Sequence, residues 1–578
     1  MTRRHISAAL TLCAQAALAQ ANKPFAEREF AMVRPLYSGA RALETVAYMD
    51  RFVRWPGNPG FDSSIMHVAA RLAAAGFIEQ SKAGPADRLT YRIEKFPMAG
   101  AAWEPQAATL EFASPAGAAP ILSFATNRNM VATNSYSTPA EGIEAEVVRV
   151  AAMTPAALDS VNVKGKIVMA DAGVGRLFSE AVVRRGAIGV LAYSMPAYTQ
   201  PVKNTHSIQF SGIADDTARK GWGVLLSFDA RRQLLDAMRA GPVRVRVKIT
   251  TGFTRPATEL AIVAEVKGSA APGERFVYSA HIQEPGANDD ASGVATLTEM
   301  ARTLAELVKK GQANPRRTIT MLWGQEIRVT DRYLKQDTLH HQGARWGISL
   351  DMTGEDTKKT GGVFLIEKLP DPSAIWTRGN DKHTEWGGPV LDEGGMKPHY
   401  FNDFLISRTR QQGKAAGWTV SANPFEGGSD HIAFLNNDVP GVLFWHFTDQ
   451  FYHTDGDRLD KVSPDEMKNV GVSALVSGLI LASGDASTAA AIIAETEQAA
   501  IQRLDTEAAL SKAAIGAGGD VAKERHILET WGAWYDAALR KATDIEIGGP
   551  GAATTSAIDA ATKSVKERLS SLTRSLAP

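Results

Sequence analysis

One cysteine, Cys13, is the only thiol in 578 residues. Once the segment that carries it is removed, as argued below, the chain has no disulfide and no cysteine nucleophile. Charge of one sign is also missing. Lys+Arg and Asp+Glu balance at 63 each, so no basic surplus argues for nucleic acid. No apolar stretch is long enough for a membrane span, and no tandem repeat is present. A serine nucleophile elbow, Gly-x-Ser-x-Gly, is absent around Ser429, where Asp430-His431 follow, so a serine hydrolase is disfavoured. What remains is ordinary globular composition, 44% hydrophobic and 22% charged, in a chain too long for one core. Two to four domains are expected.

The first 19 residues read as a secretory signal peptide. Arg3-Arg4 form a basic start, residues 6–18 are apolar but short of a bilayer span, and Ala17-Leu18-Ala19 gives a small-residue cleavage site. The mature protein is therefore expected to be periplasmic or secreted.

Hydropathy patterning divides the rest. Residues 20–125 hold a helical pattern at Ile65, Val68 and Leu72, closed by Gly76, followed by strand-like runs at 89–93 and 108–112. Residues 126–254 read as a β-rich insert, with buried strands at 163–170 and 186–193. Residues 255–484 alternate strand and helix, the mark of a mostly parallel, twisted α/β sheet; its strands are expected at 261–266, 276–280, 318–323, 346–351 and 442–446. Residues 485–578 form a helical C-terminal region broken at Gly516-Ala517-Gly518-Gly519 and Gly548-Gly549-Pro550-Gly551. Trp531, Trp534 and Tyr535 are its packing anchors, and its helices are a candidate homodimer surface.

The chemistry gathers where strands end. The stretch His281-Ile-Gln-Glu-Pro-Gly-Ala-Asn-Asp289-Asp-Ala-Ser-Gly293 follows one expected strand and precedes a helix. Glu326 closes Trp323-Gly324-Gln325-Glu326, Asp351 follows Ser349-Leu350, and Tyr452-His453 follow the last strand. In a parallel sheet these ends share one edge, where open α/β folds place their ligands. An imidazole and carboxylates converging there suggest a divalent metal, most simply zinc. One such residue is weak evidence. The ordered set His281, Asp289, Glu326, Asp351 and His453 is hard to explain by packing, because unpaired buried charges are costly.

The segments HIQEPGANDDASG, LWGQE, SLDM, EGGSDHIAF and YHTDGD resemble the zinc-dependent exopeptidases of the bacterial leucyl aminopeptidase and aminopeptidase Y type, whose fold carboxypeptidase Q and the transferrin receptor share. The insert resembles a protease-associated domain through VKGKIVMA and RRGAIGVLAY. Together the resemblance spans about residues 26–484 and implies a discontinuous peptidase domain, 20–125 with 255–484. It implies that His281 and Asp351 hold one zinc, that Asp289 bridges two, and that His453 holds the second. It also makes Glu326 the base that activates water and Tyr452 a stabiliser of the tetrahedral intermediate. Ser429, Asp430 and His431 match a loop that lines the site or merely braces itself; Asn288 and Asp290 flank the bridging residue as supports. The implied activity is exopeptidase, aminopeptidase in particular, on a peptide substrate.

Two positions depart from the family pattern. Gln283 stands where an aspartate usually orients the histidine, which should weaken support behind His281. Ile327 stands where a second glutamate usually binds metal, so Glu326 is either base or ligand, and Glu284 or Asp290 could supply the missing carboxylate. One or two ions per chain are consistent with the set. The alternatives are a catalytically altered binding protein on a peptidase scaffold and a single-zinc cyclase or amidohydrolase. An acidic group for a substrate amine is expected among Asp392, Glu393 and Glu426.

Overall fold

The computed structural model describes residues 25–114 and 119–576; the signal-peptide expectation and Cys13 lie outside them. Sixteen strands among the described residues form two sheets. In chain order they are β1 (Ile78–Glu79), β2 (Leu89–Pro97), β3 (Ala102–Phe112), β4 (Leu122–Ser123), β5 (Ile143–Arg149), β6 (Ile167–Ala170), β7 (Gly189–Ala192) and β8 (Gly223–Leu225). The rest are β9 (Val243–Thr254), β10 (Thr258–Val266), β11 (Ala271–His281), β12 (Arg317–Gly324), β13 (Ala344–Leu350), β14 (Val363–Glu367), β15 (Ser421–Asn423) and β16 (Gly441–Phe447).

The larger sheet has the order β1-β2-β10-β12-β11-β13-β16-β14-β15. Its four central strands, β12, β11, β13 and β16, are mutually parallel. Antiparallel pairs flank them, β10 against β12 and β14 against β16, so the fold is α/β with a mixed, mostly parallel sheet. Each expected strand is present within this sheet. They were readable because a parallel strand covered on both faces is almost uniformly apolar. In β11, Phe276, Tyr278 and Ala280 enter one core and Val277 the other, with the two-residue period of a pleated strand.

Helices cover both faces. Gly39–Met49, Pro59–Ala75, Ala291–Lys309 and Pro464–Ala482 contribute to the larger core, while Arg328–Lys335 and His431–Asn436 close the other side. The helix Ala291–Lys309 is capped by Asp290, which accepts from Gly293 N at 3.0 Å. Its first turn is small for a reason: a Cβ on Gly293 would lie 2.1 Å from the Leu350 carbonyl oxygen. That close approach sets the helix start directly against β13.

The second sheet has the order β4-β3-β9-β5-β6-β7-β8. It begins upstream of residue 126, because β3 and β4 pair into it: β3 runs antiparallel to β9 from Ala102↔Thr254 to Phe112↔Val245. The insert was expected to begin at residue 126, yet strand pairing carries across that boundary.

The C-terminal region forms three helices, Ala486–Gly516, Val521–Arg540 and Ala552–Arg574, with breaks at the two glycine clusters. Trp531, Trp534 and Tyr535 are buried in the same core as the large sheet. The buried Arg317 guanidinium at the start of β12 donates to the Leu481, Ile545 and Asp544 carbonyls at 2.8–2.9 Å, and Tyr400 Oη donates to Asp544 at 2.6 Å. No helix among the described residues is long and apolar enough to cross a membrane.

Candidate metal centre at the sheet edge

The parallel register decides what meets. His281 ends β11 opposite Gly324 of β12, and Ser279 pairs with Ser349 of β13, so His281, Glu326 and Asp351 leave the sheet at one edge. His453 reaches the same edge from the loop after β16. Two groups of donors converge there, His281–Asp289–Asp351 and Glu284–Asp289–His453, with the donor atoms of each within 4.8 Å of one another. Asp289 belongs to both.

His281 is oriented from behind. Its Nδ1 donates to the Gln283 carbonyl oxygen, which fixes the tautomer and turns the Nε2 lone pair into the site. The expected loss of support behind His281 is therefore corrected: the backbone of Gln283 does what a side-chain carboxylate would. Nε2 faces Asp351 Oδ2 at 3.2 Å, Asp289 Oδ1 at 3.8 Å and Glu326 Oε1 at 3.9 Å, yet it makes no hydrogen bond. Asp351 Oδ1 is also without a hydrogen-bond partner, while Oδ2 accepts from Ser429 Oγ at 2.8 Å.

The second group is built differently. His453 Nε2 lies 2.8 Å from Glu284 Oε2 and 3.1 Å from Asp289 Oδ2. Its backbone sits at φ 60°, held because its carbonyl accepts from Phe210 N at 2.9 Å and Asn129 Nδ2 at 3.3 Å, both in the region of the second sheet. Its ring is sandwiched between Tyr452 and Phe210, with centroids at 3.7 Å and 4.4 Å. Asp289 is fixed by its own amide, which donates to Asp457 Oδ2 at 2.9 Å.

A fit to metal can be judged on these donors. Imidazole nitrogens and carboxylate oxygens are a zinc-type set that also suits manganese or cobalt. The electrostatics ask for a cation: burial pushes the carboxyls of Asp289, Asp290 and Glu326 well above their ordinary range. Burial alone would lower both histidines, but the carboxylates beside them win. His281 is held well above its ordinary value, chiefly by Asp351 and Glu326, and His453 is pushed up to about 10, chiefly by Glu284. With two buried donor atoms lacking any hydrogen-bond partner, the set fits a metal centre better than a closed ion-pair network.

The remaining expected residues sort by their partners. Glu326 lies outside both donor groups. Its amide donates to Gln283 Oε1 at 2.8 Å, and Gln283 Nε2 reaches its carboxylate at 3.5 Å, so the Gln283 side chain aims Glu326 rather than His281. The Glu326 side chain is 20% exposed, open to a substrate. Ile327, at φ 61°, contributes only its amide, which donates to Asp430. Burial and the nearby Asp289 and Glu284 raise the Tyr452 phenol, which keeps it a proton donor. Asp290 is consumed by backbone, accepting from His281 N, Gly293 N and Met352 N at 3.0–3.1 Å. Asn288 Oδ1 accepts from Ser292 Oγ and Gly354 N, so it supports the helix start. His431 pairs with Glu367 and braces its own loop.

Each acidic residue expected to hold a substrate amine has a partner within the chain. Glu426 accepts from Thr384 N and Oγ1, both at 2.6 Å; Asp392 caps a turn through Gly395 N; Glu393 pairs with His526 at 2.6 Å. Sequence reasoning missed Arg54, Arg128 and Phe210, which touch no expected donor side chain except through the His453 ring. No local signal marks them, since each acts across a large sequence separation.

Against this geometry, comparison with known proteins is informative. Residues 261–476 match the model of peptidase family M28. No curated protein sequence matches the chain. Among solved structures, the M28 peptidase precursor from Shewanella amazonensis superposes with TM-score 0.52 at 19% identity, covering 78% of this chain and 95% of its own. The Bacillus subtilis zinc aminopeptidase superposes with TM-score 0.51 at 16% identity, covering 76% and 94%. The aminopeptidase from Aneurinibacillus sp. strain AM-1 gives 0.50 at 18%, covering 78% and 96%. At these identities the likeness establishes the fold. The M28 match takes in every residue of the two donor groups.

Proposed function

We propose that the protein is a metal-dependent exopeptidase, an aminopeptidase in particular, with zinc as its metal. The observation that carries the proposal is the pair of donor groups sharing Asp289 at the C-terminal edge of a sheet that lies within the M28 match. His281, Asp289 and Asp351 would hold one ion, and His453 with Asp289 would take part in holding another. Zinc bound there supplies Lewis acidity for a carbonyl and makes water acidic enough to ionise near neutral pH.

The chain's own residues supply the rest. Glu326, aimed by Gln283, accepts the proton of the attacking water as oxygen bonds to the scissile carbonyl carbon. It then passes that proton to the departing amine as the C–N bond breaks. Tyr452 donates a hydrogen bond to the oxygen that gains charge. The basic and apolar start of the chain supports export, so the site would work outside the cytoplasm.

The test is hydrolysis of peptides with free N-termini by zinc-loaded protein. Release of N-terminal residues, loss of the activity on chelation, recovery on adding zinc, and little turnover of N-acetylated peptides are expected. A zinc-loaded, folded protein that cleaves neither free nor blocked peptides would overturn the reading.

A further inference from the structure

The geometry points to Glu284 as the third protein ligand of a second metal ion, completing a Glu284–Asp289–His453 site. This rests on the metal-dependent reading above and specifies how its second ion is held. His453 and Asp289 by themselves offer one nitrogen and a shared carboxylate. Other nearby acids are spent or held away: Asp290 is bonded to three amides, Glu326 is steered by Gln283 and belongs to neither donor group, and Ile327 has no donor atom. Glu284 Oε2 lies 2.8 Å from His453 Nε2, closer than Asp289 Oδ2 at 3.1 Å.

Its position is built rather than incidental. The turn at 282–286 is gripped by Arg54, fully buried, whose guanidinium donates to the Ile282 carbonyl at 2.9 Å and the Gly286 carbonyl at 2.6 Å. Arg128 donates to the Pro285 carbonyl at 2.7 Å. Pro285 keeps Glu284 out of helical backbone. Gly286 admits no side chain, since a Cβ there would lie 2.1 Å from Asp457 Oδ2. One buried and one half-buried cation and a proline–glycine pair thus hold a short turn whose one acidic side chain enters the site. Beside it, His281 Nε2 lies 3.8 Å from the same Asp289, and both it and Asp351 Oδ1 are buried without hydrogen-bond partners. The carboxylate that the strand end lacks at Ile327 is delivered from the turn after β11.

The experiment counts zinc per chain by elemental mass spectrometry after dialysis of full-length mature protein, for wild type, Glu284→Gln and Asp351→Asn. Two zincs in wild type and one in Glu284→Gln are expected. A cobalt-substituted Glu284→Gln protein should then show the visible absorption of a single site. The melting temperature of metal-free Glu284→Gln should match metal-free wild type, which separates lost ligation from lost folding. Two zincs retained in Glu284→Gln, or a single zinc in wild type that the substitution leaves in place, would overturn the assignment of Glu284 while sparing the metal-dependent reading. No zinc in wild type even after incubation with the metal would overturn both.

Discussion

The two halves of the candidate metal centre are made by different means. His281 and Asp351 stand at the ends of adjacent parallel strands, positioned by the sheet, with donor atoms lacking hydrogen-bond partners. Glu284 and His453 stand on loops, positioned by packing from outside: Arg54 and Arg128 behind the first, Phe210 and Asn129 behind the second. Their donors touch each other instead of waiting apart. A strand-borne ligand is fixed by the fold itself. A loop-borne ligand can move along the chain, provided that distant residues hold its new position, and on the proposed assignment of Glu284 this is how the site would tolerate isoleucine at 327.

That contrast can be broken by substitution. The largest effect is expected at the strand-borne half: His281→Ala or Asp351→Asn should lower kcat/KM by roughly 10³-fold or more and remove the zinc held there, since the lost group serves the metal on which hydrolysis depends. Steady-state kinetics with a zinc count on the same sample check it. Glu326→Gln comes next, with kcat down about 10²–10⁴-fold and zinc content unchanged. A zinc lost along with the activity would make Glu326 a ligand instead. Phe210→Ala removes the ring behind His453 without touching a donor atom. Zinc affinity of the loop-borne site should fall about 10–100-fold with the strand-borne site unaffected, as measured by competition with a chelator of known affinity.

The smallest effect on chemistry is expected far from the edge. Arg503 pairs with Asp381 and the buried Glu507, linking the C-terminal helices to the segment after β14. Arg503→Ala leaves Asp381 to Lys368 and Glu507 to Arg378, and should cost about 1–3 kcal/mol of stability, a shift in denaturant midpoint, with zinc content unchanged.

The same contrast explains what could be read from sequence. The central strands were legible because each is a short apolar run, and His281, Asp289 and Asp351 were legible because such runs end in polar residues at one sheet edge. The role of Glu284 was left open against Asp290, because the choice depends on Arg54, whose contact with Ile282 spans 228 residues. Gln283 was read as a weakness, since only coordinates show its carbonyl on His281 and its side chain on Glu326. β3 and β4 were assigned apart from the second sheet because pairing with β9 leaves no local mark. Of the residues considered as amine anchors, Glu393 and Glu426 have partners on other segments, His526 and Thr384, which no local pattern marks, while Asp392 caps its own turn.

Anomalous diffraction at the zinc absorption edge, from crystals of zinc-loaded full-length mature protein, tests the central claim most directly. Two peaks about 3.5–4 Å apart are expected, one touching His281 and Asp351, the other Glu284 and His453, with Asp289 between them. A single peak, or a second peak that Glu284 does not touch, would contradict the account of a ligand moved from strand end to turn.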